Sequence, residues 1–244
     1  MRMRVEPYSV GSILHVVKRG ARGMQITRDT NDQQRFVSLL FYLNDEFKSD
    51  YWEDEIALLA SFERPDHWPE RKPLVDLLSY TLMPNHFHLL IKEIREGGTA
   101  KFMQRLGGSM STYHNLKYQE TGSIFQGSYK SRTVDTDAYL RYVAAYGMTK
   151  NVFELYPRGG LVGAHKNFED AWQWALTYPY SSFASLAGKS DSPDSGESDF
   201  PVLAQENLLY EMFPTSDSFK TSSRDMISAY IQKHADEYIG RGFE

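Results

Sequence analysis

Between Leu74 and Ile94 the chain is strand-like almost without interruption, and the one break is Met83-Pro84-Asn85. Proline cannot donate to a β-ladder and Pro-Asn favours a turn, so the stretch predicts a hairpin whose second arm is His86-Phe87-His88-Leu89-Leu90-Ile91. Side chains alternate across a strand, so His86 and His88 project from one face and Phe87 from the other. A sheet carrying two imidazoles on one face is the constraint around which the rest of the chain must be arranged.

The remaining elements are read outward from that hairpin. Ser12–Val17 reads as a strand, Lys18–Gly23 as a turn, and Met24–Ile26 as a short extended piece. From Asp32 the residues Phe36, Val37, Leu39, Leu40 and Leu43 have helical spacing, with Asn31 or Thr30 as cap. Ile56–Phe62 is expected to be a strand. Gly97-Gly98-Thr99 opens a helix to about Tyr118, with Phe102, Leu106, Met110 and Tyr113 on one face, and Thr121-Gly122-Ser123 stops it. Ser131–Val134 is extended, and Asp135-Thr136-Asp137 caps a helix over Ala138–Thr149. Phe168–Leu176 is a further helix. Residues 187–200 are rich in Ser, Asp, Gly and Pro and read as a linker, followed by a helical segment over 203–213 and a final helix from Ser222 or Ser223 to Ile239. The expected organisation is an α+β domain over 1–186, a linker or long loop over 187–202 and a helical appendage over 203–244.

Composition narrows the chemistry. The chain has 244 residues and no cysteine, which excludes disulfides, thiolate zinc sites, iron–sulfur clusters and cysteine nucleophiles. No apolar run reaches the roughly 20 residues of a membrane helix, and the first residues lack a secretory core, so a cytoplasmic protein is expected. The net charge of −5 argues by itself against a nucleic-acid partner. That average conceals a split: residues 1–150 carry 20 basic and 18 acidic side chains, residues 151–244 carry 7 and 14. Lys101, Arg105, Lys117, Lys130 and Arg132, with Arg19 and Arg22 in the turn, are therefore candidate phosphate contacts for single-stranded DNA. Tyr113, Phe125 and Tyr129 are candidate stacking rings, although core packing is the plainer reading for Tyr113.

Two neutral imidazoles without thiolates leave most of a coordination sphere open, which suits Mg²⁺ or Mn²⁺ holding phosphate oxygens and water. His15 could face the pair if its strand is adjacent, but a half-buried strand histidine is the plainer reading. Tyr139, Tyr142 and Tyr146 line one face of the helix after Asp137, and such a stripe is ordinarily packing. One of these phenols can instead attack a phosphodiester and store the bond energy as a phosphotyrosine.

The run Tyr80-Thr81-Leu82-Met83-Pro84-Asn85-His86-Phe87-His88-Leu89-Leu90-Ile91 resembles the signature of the HUH single-tyrosine transposases, in which a hydrophobic residue separates two metal-binding histidines. In the same order, Gly97–Gly107, Thr121–Lys130 and Asp135–Leu140 resemble successive blocks of the REP-associated tyrosine transposases and their insertion-sequence relatives, and His15–Gly20 resembles the family's first strand and turn. The resemblance spans about residues 9–186. It implies a ferredoxin-like antiparallel sheet with packed helices, the HUH endonuclease fold, with a C-terminal helical extension added in this chain.

The resemblance further implies a nucleophile at Tyr146, with Tyr142 as the second choice, and a metal held by His86 and His88. Relatives often place Asn or Gln four residues beyond the tyrosine as a third ligand. Here that position is Lys150, with Asn151 one further on, so either Asn151 enters through a local change of the helix or the third ligand is missing. The implied reaction is metal-dependent cleavage and rejoining of single-stranded DNA at hairpins or palindromic repeats through a 5′-phosphotyrosine, by a monomer or a homodimer. Two rival readings accompany it: a non-cleaving DNA-hairpin binder on the same scaffold, motivated by Lys150 and the acidic C-terminal part, and a metal-dependent phosphoesterase that forms no protein adduct.

Overall fold

In the computed structural model, which describes residues 8–188 and 201–234, the chain is α+β. In order it forms β1 (Ile13–Arg19), a 3₁₀ turn (Ala21–Gly23), α1 (Thr30–Tyr42), α2 (Trp52–Ile56), β2 (Val75–Met83), β3 (His86–Glu93), α3 (Gly98–Tyr118) and β4 (Lys130–Val134). There follow α4 (Asp137–Ala145), a π-helical turn (Tyr146–Lys150), α5 (Asn151–Glu154), α6 (Gly160–Lys166), α7 (Phe168–Leu176), α8 (Phe183–Ala187), α9 (Leu208–Met212) and α10 (Ser216–Lys233). The sheet order is β2-β3-β1-β4, with β1 antiparallel to both β3 and β4. With α1 after β1 and α3 after β3, this is the split β-α-β arrangement of a ferredoxin-like domain.

Register settles which side chains share a face. Val17 lies opposite His88, Arg19 opposite His86 and His15 opposite Leu90, while on the other side of β1 His15 lies opposite Arg132 and Val17 opposite Lys130. One face therefore carries His15, His86, His88, Arg19, Lys130 and Arg132. The other carries Leu14, Val16, Phe87, Leu89 and Ile91, all buried. Phe87 packs there against Phe36 of α1, ring centroids 5.1 Å apart, and its full burial is worth about 2 to 3 kcal/mol.

The helices covering that face start where local chemistry dictates. Asp29 caps α1 by accepting from the Asp32 amide, so the cap lies before both Thr30 and Asn31, the two candidates in the sequence. Gly97 enters α3 with φ +70, and at Gly98 a Cβ would stand 2.2 Å from the Leu74 carbonyl oxygen, so only glycine lets α3 begin this close to the chain entering β2. Glu93, buried at the end of β3, accepts from the Thr99 amide (3.0 Å) and hydroxyl and ties the strand to the first turn of α3.

Three expected elements differ. Ile56–Phe62 is not a strand: α2 ends at Ile56, turns follow, Leu58 is 98% exposed and Phe62 has φ +66. The run is Ala- and Leu-rich rather than β-branched and lacks alternation, so nothing favours a pleated surface there. Met24–Ile26 is irregular rather than extended. The last helix begins at Ser216, six residues before Ser222, because Thr215 and Ser218 form a reciprocal capping box. Its expected end at Ile239 lies outside the described residues, as does most of the 187–200 linker.

Contacts divide the described residues into two compact units. One contains 8–78, 84–134 and 201–204, and the other 79–83, 135–188 and 205–234. The first is built on the sheet face described above. The second packs Phe153, Trp172, Phe183, Phe213 and Phe219, all buried, with Trp172 edge-on to Phe183 at 4.7 Å and Phe213 to Phe219 at 5.2 Å. Within it, residues 80–82 of β2 are bonded along their length: Tyr80 and Ser182 exchange bonds, and the Leu82 amide donates to the Tyr180 carbonyl. Among the described residues no helix is long and apolar enough to cross a membrane.

Candidate active site

The first unit holds the histidines. His86 and His88 are buried, and their rings stand 5.0 Å apart on the cationic face of the sheet. The His86 Nδ1 lies 2.6 Å from Asn85 Oδ1, an atom that can only accept, so His86 carries a proton on Nδ1. The His88 Nδ1 is 2.8 Å from His15 Nε2, with the two ring planes within 16° of each other. Burial pushes the His15 pKa down to about 4, so its imidazole is neutral at physiological pH.

The sequence reads His15 as a half-buried strand residue, or as one facing the pair if its strand is adjacent, and gives Asn85 only the role of a turn former. His15 lies 73 positions before His88, and only the β1–β3 register makes it the diagonal neighbour of that histidine.

Two imidazoles on one strand face, each with Nδ1 engaged, fit a divalent ion taken at Nε2. Among the described residues no group of three or more His, Cys, Asp or Glu side chains is disposed to hold a metal, so an ion here would draw its other ligands from amides, water or substrate.

The expected phosphate contacts separate into two groups. Arg19, Lys130 and Arg132 share the histidine face by register, and Arg22 lies exposed in the turn that follows Arg19, at φ +54. Lys101 is exposed in the first turn of α3. Arg105 is instead committed to the carbonyls of Asp45 (2.5 Å) and Glu46, and Lys117 to Asp29 (2.7 Å) and Asp32 (2.6 Å). Both cations serve the fold, Lys117 by neutralising the acidic N-terminus of α1. Phe125 is buried against Phe87 with the Lys18 ammonium over its ring, so it is core rather than a base platform.

The second unit holds the tyrosines. Tyr139, Tyr142 and Tyr146 form a ladder with centroid spacings of 6.4 and 5.9 Å, continued by Tyr230 of α10 at 6.0 Å from Tyr146. Partial burial, and after it the neighbouring Tyr146, raise the Tyr142 pKa, with Lys150 pulling the other way.

Tyr146 begins the π-turn. The Asn151 amide donates to the Tyr146 carbonyl, a bond over five residues rather than four. A π-turn holds one more residue than an α-turn, so Asn151 takes the rotational place that position +4 has on a regular helix. Lys150 points elsewhere: its ammonium pairs with Glu154 at 2.5 Å and lies 5.0 and 5.1 Å from the ring centres of Tyr146 and Tyr230. Asn151 is 1% exposed, its Nδ2 donates to the Gly147 carbonyl (3.2 Å), and its Oδ1 is buried without a hydrogen-bond partner. The backbone thus carries a local change of the helix over Tyr146–Lys150.

Residues 70–147 match the family model described as transposase IS200-like. The matched stretch is similar to IS200-like transposases over about a third of the chain. It is 78 of the 244 residues, and it includes His86, His88 and Tyr146 while ending before Asn151. No match is found among curated proteins. Among solved structures the chain is similar to a REP-associated tyrosine transposase bound to a REP hairpin, at 12% identity over 79% of this chain and 88% of that one, with a TM-score of 0.43. The matched stretch runs from just before β2 to the first residues of the π-turn.

Proposed function

We propose that this chain is a metal-dependent single-stranded DNA transesterase that cleaves and rejoins hairpin or palindromic DNA, with Tyr146 as nucleophile. The observation that carries the reading is the His86–His88 pair, buried on one sheet face with each Nδ1 engaged. His86 and His88 would hold Mg²⁺ or Mn²⁺ at Nε2, with the Asn151 amide oxygen as a third donor. When bound, the ion supplies charge neutralisation at the phosphodiester.

The Tyr146 phenol loses its proton as its oxygen bonds to phosphorus, and the P–O3′ bond breaks. The products are a 5′-phosphotyrosine and a 3′-hydroxyl that takes up the proton. Attack by a 3′-hydroxyl on the phosphotyrosine reverses the exchange and joins strands, so neither ATP nor an external nucleophile is consumed. Arg19, Lys130 and Arg132, with Arg22 beside them, contact the DNA backbone, and the interaction weakens as salt rises.

The non-cleaving reading had two motives, Lys150 at the expected ligand position and the acidic C-terminal part. Lys150 pairs with Glu154 and lies over two aromatic rings, which supports the cleaving reading on the first count, while the acidic C-terminal part stands. The test is incubation of the full chain with Mn²⁺ and end-labelled single-stranded DNA containing a hairpin from the sequence flanking its own gene. A denaturant-stable adduct, lost with chelator and in Tyr146→Phe and kept in Tyr142→Phe, is expected. Cleavage without adduct would favour the phosphoesterase, and hairpin binding indifferent to chelator the non-cleaving binder. An adduct that persists in Tyr146→Phe removes the assignment of the nucleophile.

A further inference from the structure

We infer that His15 is a positioning residue for His88: its Nε2 accepts from the His88 Nδ1–H, which holds the His88 ring in the tautomer that presents Nε2 to a divalent cation. This rests on the reading of His86 and His88 as ligands and adds a third histidine that does not itself ligate.

The argument is geometric. Two nitrogens 2.8 Å apart with a lone pair on each would repel, so one of the two must carry a hydrogen. The 2.8 Å approach of His15 Nε2 to His88 Nδ1, with the rings nearly coplanar, is therefore an N–H···N hydrogen bond. It engages the nitrogen of His88 opposite to the one that would face an ion. His86 is held in the same sense by a different residue, since its Nδ1 meets Asn85 Oδ1 at 2.6 Å. Both members of the pair therefore have the same nitrogen occupied, one by the turn that precedes β3 and one by the neighbouring strand.

The two supports differ in kind. Asn85 is adjacent in sequence and follows His86 wherever the turn goes. His15 belongs to β1, so the His88 ring is held only while β1 and β3 keep their register. A ring held this way needs no reorientation on metal binding, and loss of such an outer partner typically weakens metal affinity by about 10- to 100-fold.

The test uses the full chain labelled with ¹⁵N-histidine, free of metal, near pH 7.5. Long-range ¹H–¹⁵N spectra report the protonated nitrogen of each ring, and His88→Gln assigns the His88 signals. In the wild type His88 is expected as the Nδ1–H tautomer. His15→Phe removes the acceptor and is expected to move His88 toward the Nε2–H form, and His15→Gln, which sets an amide oxygen near the lost nitrogen, to restore it. Should the phenyl ring prevent folding, His15→Leu makes the same deletion in less volume.

Mn²⁺ titration followed by electron paramagnetic resonance is the second readout. About tenfold weaker binding or more is expected for His15→Phe, with recovery in His15→Gln. An unchanged His88 tautomer in a folded His15→Phe chain overturns the inference, as does equal Mn²⁺ affinity in the two proteins. A wild type that binds no Mn²⁺ overturns the metal reading instead, and the tautomer spectra still decide the role of His15.

Discussion

The amide of Asn151 donates to the carbonyl of Tyr146 five residues before it, and this one bond shifts the helix by a residue at the proposed nucleophile. Isolated π-turns of this kind are costly to the regular ladder and recur at functional positions. Here the turn sets a buried, unpartnered amide oxygen where an α-helix would have set the Lys150 side chain.

Asn151→Ala should separate fold from chemistry. The fold loses one bond from Nδ2 to Gly147 and is relieved of an unpaired acceptor, so the cost is expected at about 1 kcal/mol or less. Mn²⁺ affinity is expected to fall at least about tenfold. Thermal melting and Mn²⁺ titration on the same preparation check both, and unchanged affinity would remove Asn151 from the ligand set.

Lys150→Met should be tolerated. The Lys150 side chain is 7% exposed, but Glu154 is 33% exposed and stays solvated when its partner is gone. The methionine fills similar volume between the Tyr146 and Tyr230 rings, leaving a loss of about 1 kcal/mol from the cation–ring contacts. Adduct yield is expected within about twofold of wild type, since an isosteric apolar replacement of a buried charge is often close to neutral. A collapse of adduct formation without loss of stability would make Lys150 part of the chemistry.

Glu93→Ala should be severe. It strands the Thr99 amide and hydroxyl, both buried, at the first turn of α3. Loss of a charged acceptor from two donors is worth about 3 kcal/mol, and Glu93→Gln, which keeps an acceptor, should cost less. Urea unfolding checks this as a lower midpoint at constant slope.

Acid should release the clasp between α1 and α3. Hydrogen bonding from the Lys117 ammonium, then from the Asp32 amide, holds the Asp29 carboxyl at about 2, below its ordinary 3.8. A carboxyl depressed on folding stabilises the native state fully above the ordinary value and loses that contribution as pH falls through the folded one. Melting temperature should therefore decline between about pH 4 and pH 2, and Lys117→Met should flatten that stretch of the curve. The pair is solvent-exposed, so the change is expected to be small and to shrink further in high salt. An identical slope in Lys117→Met would show that other carboxylates account for the acid response.

The parts of this protein that were legible in one dimension are those set by nearest neighbours. The Pro84-Asn85 turn, the same-face placement of His86 and His88, the glycine-led start of α3 and the strand at 130–134 all follow from alternation, turn chemistry and caps, which act over a few residues. Lys101, Lys117 and Arg105 looked alike as charges, and only the packed chain distinguishes an exposed lysine on α3 from two cations spent on Asp29, Asp32 and the Asp45 carbonyl. The strand expected over 56–62 failed on local grounds instead, because the run is Ala- and Leu-rich, lacks alternation and leaves Leu58 exposed. His15 shows the division most plainly. Its place on a strand could be read from Ile13 to Arg19 alone, but its bond to His88 depends on which strand lies beside β1 and in what register. Pairing is decided by burying Leu14, Val16, Phe87, Leu89 and Ile91 together on the opposite face, a collective term that no local window contains.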